Sequence, residues 1–222
     1  MQFTTGMQAQ KILMKNRKLF TSLTLLVAAV LVFMSLPEKP NHKSPTGSLS
    51  AIIPAPYKER EEVSYSTAKR IVEMVHEDLT PSKIMTRKAF ENAIKVASAL
   101  GGSSNCPPHL IAIAKHIGVK IDIDDWQKFG HEIPLLVNCQ PAGEHLMEGF
   151  FKAGGVPAVM KELLKNDKLH REVLTVTGKT LEQNLNSEIK IDKDIIKEFK
   201  NPLAYKSGFI VMRSNFFSSA IM

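Results

Sequence analysis

Apolar residues fall in two rhythms along the chain. Ala68, Ile71, Val72, Val75 and Leu79 recur at helical spacing and predict a helix ended by Thr80-Pro81. A second helix is predicted from about Thr86 to Leu100, with Phe90, Ile94 and Ala97 on one stripe and Gly101-Gly102 as its stop. A third starts near Pro107-Pro108 and carries Leu110, Ile111, Ile113 and Ala114; Asp124 then reads as the N-cap of a short helix bearing Trp126. The period changes at Pro134–Asn138, a continuous apolar run expected of a strand buried on both faces. Helical pattern resumes over 146–153 and 156–164. Leu174–Thr177 reads as a strand, Thr180–Leu185 as a short helix, and Ile189–Ile191 and Gly208–Met212 as β-like. The expected fold class is α/β: an incomplete layered α/β domain followed by the first strands of a β-domain, with an N-terminal apolar helix.

That N-terminal helix is expected at residues 19–36, which hold no charge and follow Lys15, Arg17 and Lys18. Eighteen residues make about 27 Å of helix, enough for a thin bilayer. The basic flank would leave the N-terminus in the cytosol. MSLPEK lacks small residues placed for signal cleavage, so an anchor is favoured over a cleaved signal peptide. The expected organisation is therefore a basic segment at 1–18, a transmembrane or signal-anchor helix at 19–36, a Pro-rich linker at 37–52, a partial α/β domain at 53–187 and the start of a β-domain at 188–222. Location follows the apolar segment: the membrane if it is used, the cytoplasm otherwise.

Composition adds exclusions. Of the formal charge of +7, residues 1–50 hold six Lys or Arg against Glu38 alone, so only +2 remains for the body. With 7% aromatics and no basic stripe in the body, no nucleic-acid partner is expected. Cys106 and Cys139, 33 residues apart, cannot by themselves ligate a four-thiolate cluster and fit buried reduced thiols. Gly178-Lys179-Thr180 resembles the end of a phosphate loop, but position 173 is Val where the nest requires glycine. His109 and His116, seven apart, fit structural histidines better than a metal pair. Asp122, Asp124 and Asp125 lack the rest of a calcium loop. Gly101-Gly102-Ser103-Ser104-Asn105 joins two helices. It suits either an anion- or hydroxyl-binding corner or a tight turn with capping serines.

The residues around that corner carry a specific resemblance. Lys88-Ala-Phe-Glu-Asn-Ala-Ile94, Ala99-Leu-Gly-Gly-Ser-Ser-Asn105 and His109-Leu-Ile-Ala-Ile-Ala114 resemble the dihydroxy-acid/phosphogluconate dehydratase family. Ile53-Pro-Ala-Pro-Tyr57, Arg70–Val75, Asn138 with Gln140-Pro-Ala-Gly143, Ala153–Ala158, Leu174–Thr180 and Gly208–Arg213 keep the family's order. Asp124-Asp-Trp126, Asn138-x-Gln-Pro-Ala-Gly143 and Ser218–Met222 are most similar to its sugar-acid (xylonate/arabonate) branch. The resemblance covers roughly residues 51–222.

It implies a hydro-lyase that takes a 2,3-dihydroxy acid to a 2-keto-3-deoxy acid, with an iron–sulfur cluster and magnesium in intact members, a sugar-acid substrate and homo-oligomers. The family's cluster cysteines and magnesium carboxylates are expected upstream of the matched stretch and its catalytic serine downstream. No metal ligand carries over to this chain, no cofactor is expected in it, and the catalytic residues stay unassigned. The family's Gly-Gly-Ser-Thr-Asn reads Gly-Gly-Ser-Ser-Asn here, and its Arg-Gly-Asn-Leu reads Arg213-Ser-Asn-Phe216. Ser103, Ser104 and Asn105 are the candidate substrate-binding residues. The expectation is a dehydratase fragment inactive alone, set against a non-catalytic, membrane-tethered binding or assembly module.

Overall fold

The computed structural model describes residues 52–54, 56–206 and 209–222. They are mostly helical: α1 Glu59–His76, α2 Pro81–Ile84, α3 Arg87–Ala99, α4 Cys106–His116, α5 Ile123–Asp125, α6 Met147–Lys152, α7 Gly155–Lys165 and α8 Leu181–Asn184. A π-helical turn, Trp126–Gly130, continues α5. Strands β1 Val211–Met212 and β2 Ala220–Ile221 pair antiparallel, with Val211 opposite Ile221 and Met212 opposite Ala220.

Helix α3 is the axis of the packing, and its sequence explains why. Thr86 caps it, its side chain accepting from the Ala89 N–H. At the other end the Gly101 N–H donates to Ser98 O and the Gly102 N–H to Ala97 O, the paired bonds of a Schellman stop. Both faces are buried. Val96 and Ala99 join Leu136, Val137, Phe150, Val159, Leu163 and Ile196 in one core. Phe90, Ile94 and Ala97 join Leu110, Ala114, Trp126 and Phe209 in another. Gly130 lets the π turn lie against α3, because a Cβ there would sit 2.5 Å from Ser98 Oγ. Ser98 Oγ and Trp126 Nε1 are buried with no hydrogen-bond partner among the described residues.

The expected layered α/β domain is corrected. Pro134–Asn138 is extended and buried, but it meets an irregular segment rather than a parallel strand. Leu135 bridges Ala204 and Val137 bridges Ile196, each a single antiparallel contact. The Leu136 N–H donates to Ala99 O, and Leu136 O accepts from Lys197 N–H. Apolar residues flank the run on both sides without any ladder, so burial alone imitated a sheet strand. Leu174–Thr177 is likewise reduced to one bridge, Leu174 with Thr180. Ile189 and Ile191 pack against the first core without forming a strand. In the last β-like stretch only Val211–Met212 is a strand, and Gly208 lies outside the described residues.

Two local readings also change. Helix α1 ends at His76, short of Leu79, and has no buried residue. Its inward side is Val63, Thr67, Arg70, Ile71 and Met74, about one residue round from the predicted stripe. Arg70 Nε donates to Val176 O at 2.7 Å, and Met74 and Leu79 pack against Ile84 and Val176. Asp122, not Asp124, caps α5. Asp122 is extended at φ −134° and accepts from the N–H groups of Asp124 and Asp125, while Asp124 lies inside the turn.

The hairpin region is tied to α5, the π turn and the residue after it. Trp126 meets Phe209 edge-on with centroids 5.1 Å apart. Gln127 Oε1 accepts from Val211 N–H at 2.9 Å. His131 Nδ1 lies 3.2 Å from Phe209 O, and Arg213 pairs with Asp124.

Among the described residues no helix is long and apolar enough to cross a membrane. The apolar segment 19–36, with its expected helix and anchor, lies outside them.

Candidate functional site

The corner after α3 places two of the sequence motifs side by side. Gly101 adopts φ +64°, and a Cβ on it would stand 2.9 Å from Leu135 Cδ1 and 3.8 Å from Ala142 Cβ. The Gly101–Asn105 corner therefore abuts the Asn138–His145 loop. That loop closes on itself: Asn138 Oδ1 accepts from Glu144 N–H at 2.9 Å, and Gln140 N–H donates to His145 O at 2.8 Å. Its Gln140–Pro141 peptide is cis.

Ser103, Ser104 and Asn105 are all exposed. Ser103 Oγ accepts from Asn105 N–H at 3.2 Å, and Ser103 O accepts from Cys106 N–H at 2.9 Å, which turns the chain into α4. Asn105 stands at the N-cap position without a side-chain bond to the helix. The corner is a tight turn, the second of the readings left open by its residues. Ser103 makes the turn, while the Ser104 hydroxyl and the Asn105 amide face water. The adjoining loop adds exposed Gln140 and Glu144 and half-buried His145. Hydroxyl and amide groups, with the Glu144 carboxylate beside them, offer donors and acceptors of the kind a polyhydroxylated ligand uses.

The corner contains no activated nucleophile. Burial pushes the Cys106 thiol up, against a smaller opposing effect of the Ser103 backbone, and burial does the same to Cys139. His109 and His116 lie on the exposed side of α4 rather than packed inside, so they are surface groups and not the packed structural histidines expected. Gly178-Lys179-Thr180 is a tight turn. Gly178 N–H donates to Thr175 O, and Thr180 caps the four-residue α8 through a capping box with Gln183.

The cluster and magnesium implied by the resemblance do not fit the described residues. No group of three or more His, Cys, Asp or Glu side chains among them could hold an ion. The two thiols are disfavoured as thiolates, the form that binds iron.

Sequence reasoning missed a partly buried polar network that fixes the far side of α3. Arg87 pairs with Asp125 on two guanidinium nitrogens, and its Nε donates to Glu91 Oε1 at 2.9 Å. Glu91 Oε2 lies 2.8 Å from His170 Nε2. Asn92 Nδ2 donates to His170 O at 3.0 Å, and Asn92 Oδ1 accepts from His170 N–H at 2.8 Å. Burial draws the Glu91 carboxyl up, but the bonds from Arg87 and His170 outweigh it and hold it below its ordinary value. The Arg87–Glu91 spacing was the one visible signal; nothing in the sequence ties either residue to His170.

Comparison with known proteins gives this geometry its context. A family model described as dihydroxy-acid/6-phosphogluconate dehydratase N-terminal matches residues 46–184. The D-xylonate dehydratase of Caulobacter vibrioides is 50% identical over 172 residues, 78% of this chain and 29% of that protein. The L-arabinonate dehydratase of Rhizobium leguminosarum bv. trifolii is 42% identical over 166 residues, 75% of this chain and 29% of its own length. A dihydroxy-acid dehydratase of Lactococcus lactis subsp. cremoris is 42% identical over 200 residues, 89% of this chain and 33% of that protein. A match of that extent in a 222-residue chain must run through part of 19–36. The chain spans about three tenths of the length of these curated relatives. With a family model covering more than half of it and half of its matched residues shared with a curated relative, the chain belongs to the dihydroxy-acid/6-phosphogluconate dehydratase family.

Proposed function

We propose that this chain is the part of a sugar-acid hydro-lyase that recognises substrate hydroxyls, in a reaction taking a 2,3-dihydroxy acid to a 2-keto-3-deoxy acid. In this reading residues 53–187 are the partial substrate-side domain and 188–222 open a second one. The observation that carries the proposal is the contact between the Gly101–Asn105 corner and the Asn138–His145 loop at Gly101, Leu135 and Ala142. A corner that resembles the family and a loop most similar to its sugar-acid branch lie side by side, with Ser104 and Asn105 exposed. Ser103 holds the turn and orients its neighbours. The corner's own groups accept and donate hydrogen bonds but include no base activated to take the C2 proton. The chain alone is therefore inactive, and pairwise matching of hydroxyls is its contribution.

The test is titration of the purified full chain with D-xylonate and with L-arabinonate, followed by NMR, alongside an assay for 2-keto acid. Amide shifts confined to 101–106 and 138–145, weakened several-fold in Asn105→Ala, with no keto acid formed, are expected. Shifts elsewhere, or an unchanged Asn105→Ala titration, overturn the binding assignment; formation of keto acid by the chain alone overturns its inactivity.

A further inference from the structure

The π turn is brought against α3 by Gly130, since a Cβ there would stand 2.5 Å from Ser98 Oγ and 3.3 Å from Ile94 Cγ2. That approach sets Phe129 beside Lys95, the residue after Ile94. Lys95 Nζ lies 5.8 Å from the centroid of the Phe129 ring, Lys128 Nζ 5.0 Å and the Arg87 guanidinium carbon 5.5 Å. The ring attracts each cation and so gathers like charges at one place. Both ammonium distances run to the same centroid, so Lys95 and Lys128 are no farther apart than those two distances laid end to end. Lys168 joins them from the segment before His170, whose backbone is bonded to Asn92 on α3. Its Nζ rests 5.5 Å from the centroid of Phe199. Burial lowers Lys95 from the ordinary lysine value, Glu91 opposes this and the Lys168 charge adds to it, so the two amines are within electrostatic reach.

The acids that helical or neighbouring spacing offers these lysines are all taken. Glu91, one turn before Lys95, is held by Arg87 and His170. Around Lys128, Asp124 pairs with Arg213, Asp125 with Arg87 and Glu132 with Lys206. Around Lys168, Asp167 pairs with Arg171 and Glu172 with Lys88. Arg87 spends its charge on Asp125 and Glu91. Among the described residues, then, Lys95, Lys128 and Lys168 make no ion pair, and three positive charges stand together uncompensated.

We propose that Lys95, Lys128 and Lys168 form a binding site for a chain of phosphoryl groups, a linear polyphosphate. Ammonium groups act as point charges with rotatable donors and ask for charge density rather than a planar partner. A monocarboxylate such as a sugar acid would balance one of the three. A phosphoryl chain carries charge on every unit and can lie along the row, relieving the repulsion between the lysines. The Phe129 ring is engaged by these cations and by the second core, so it offers no platform for a nucleobase. The ligand is therefore recognised by its phosphates alone.

The purified full chain is titrated with inorganic tripolyphosphate at physiological ionic strength, by calorimetry and by amide NMR. Saturable binding is expected, with shifts centred on 95, 128–129 and 168 and a raised Tm. Lys95→Gln, Lys128→Gln and Lys168→Gln should each weaken it several-fold. Lys128 is exposed, so its variant tests the site without disturbing the core. Lys115→Gln and Lys190→Gln remove the same charge at exposed positions elsewhere and should leave the affinity unchanged. ATP should bind no tighter than tripolyphosphate. Absence of saturation, an affinity indifferent to Lys128→Gln, equal weakening by Lys115→Gln or Lys190→Gln, or ATP binding several-fold tighter than tripolyphosphate each overturns the proposal.

Discussion

Helices α1 and α3 have similar apolar patterns and opposite fates. Helix α1 runs for 18 residues with none buried, and Val72 and Val75 stand 58% and 66% exposed. Helix α3 runs for 13 residues and buries Phe90, Ala93, Ile94, Val96, Ala97 and Ala99 together with two polar side chains. The difference lies in what each helix meets. Helix α3 has the π turn and α4 on one side and α7 on the other. Helix α1 is held chiefly along one line, by Arg70 on the Val176 carbonyl and by Met74 against Ile84 and Val176. An apolar stripe states which residues can be buried; the number of layers around the helix decides whether they are.

Three variants probe that contrast. The largest effect is expected at Ile94, fully buried in the second core. Ile94→Ala should cost about 2–5 kcal/mol through lost burial and a residual cavity, read as a fall in the urea midpoint at unchanged slope. A loss below about 1 kcal/mol would break the comparison at its stronger end. Gly101→Ala comes next. It places an L side chain at φ +64° and crowds Leu135, so about 1–2 kcal/mol should be lost and seen as a lower Tm. The same variant should disturb the amides of 138–145, since Leu135 must shift and the new methyl group touches Ala142. The smallest effect belongs to α1. Val72→Ser with Val75→Ser should change stability by no more than about 0.5 kcal/mol, because both side chains already face water. A large loss there would mean that the outer face of α1 is covered in solution.

The same contrast explains which features could be read from the residues. The bounds of α3 were legible because its cap, its stripe and its glycine stop are all local chemistry: Thr86, then Phe90, Ile94 and Ala97, then Gly101-Gly102. The corner carrying Ser103, Ser104 and Asn105 was legible for the same reason. Its neighbour was not, since the approach of Leu135 and Ala142 to Gly101 depends on how a distant loop folds back. Pro134–Asn138 misled because continuous hydrophobicity reports burial and not ladder pairing. Asp124 misled because three nearby carboxylates compete for one cap and the winner is set by backbone angles, with Asp122 the extended residue. The Arg87–Glu91–His170 network joins residues up to 83 positions apart and leaves only a weak i, i+4 trace.

The tether between the π turn and the C-terminal hairpin has a consequence for dynamics. A ribbon of two short strands is at best marginal in water by itself. Here the hairpin takes its order from Gln127, His131 and Trp126, and its only buried aromatic, Phe209, sits inside the core that α3 builds. The protection of its amides against exchange with solvent is therefore set by the opening of the Trp126–Gly130 turn. The two segments, some 80 residues apart in sequence, are thus expected to open and close as one cooperative unit.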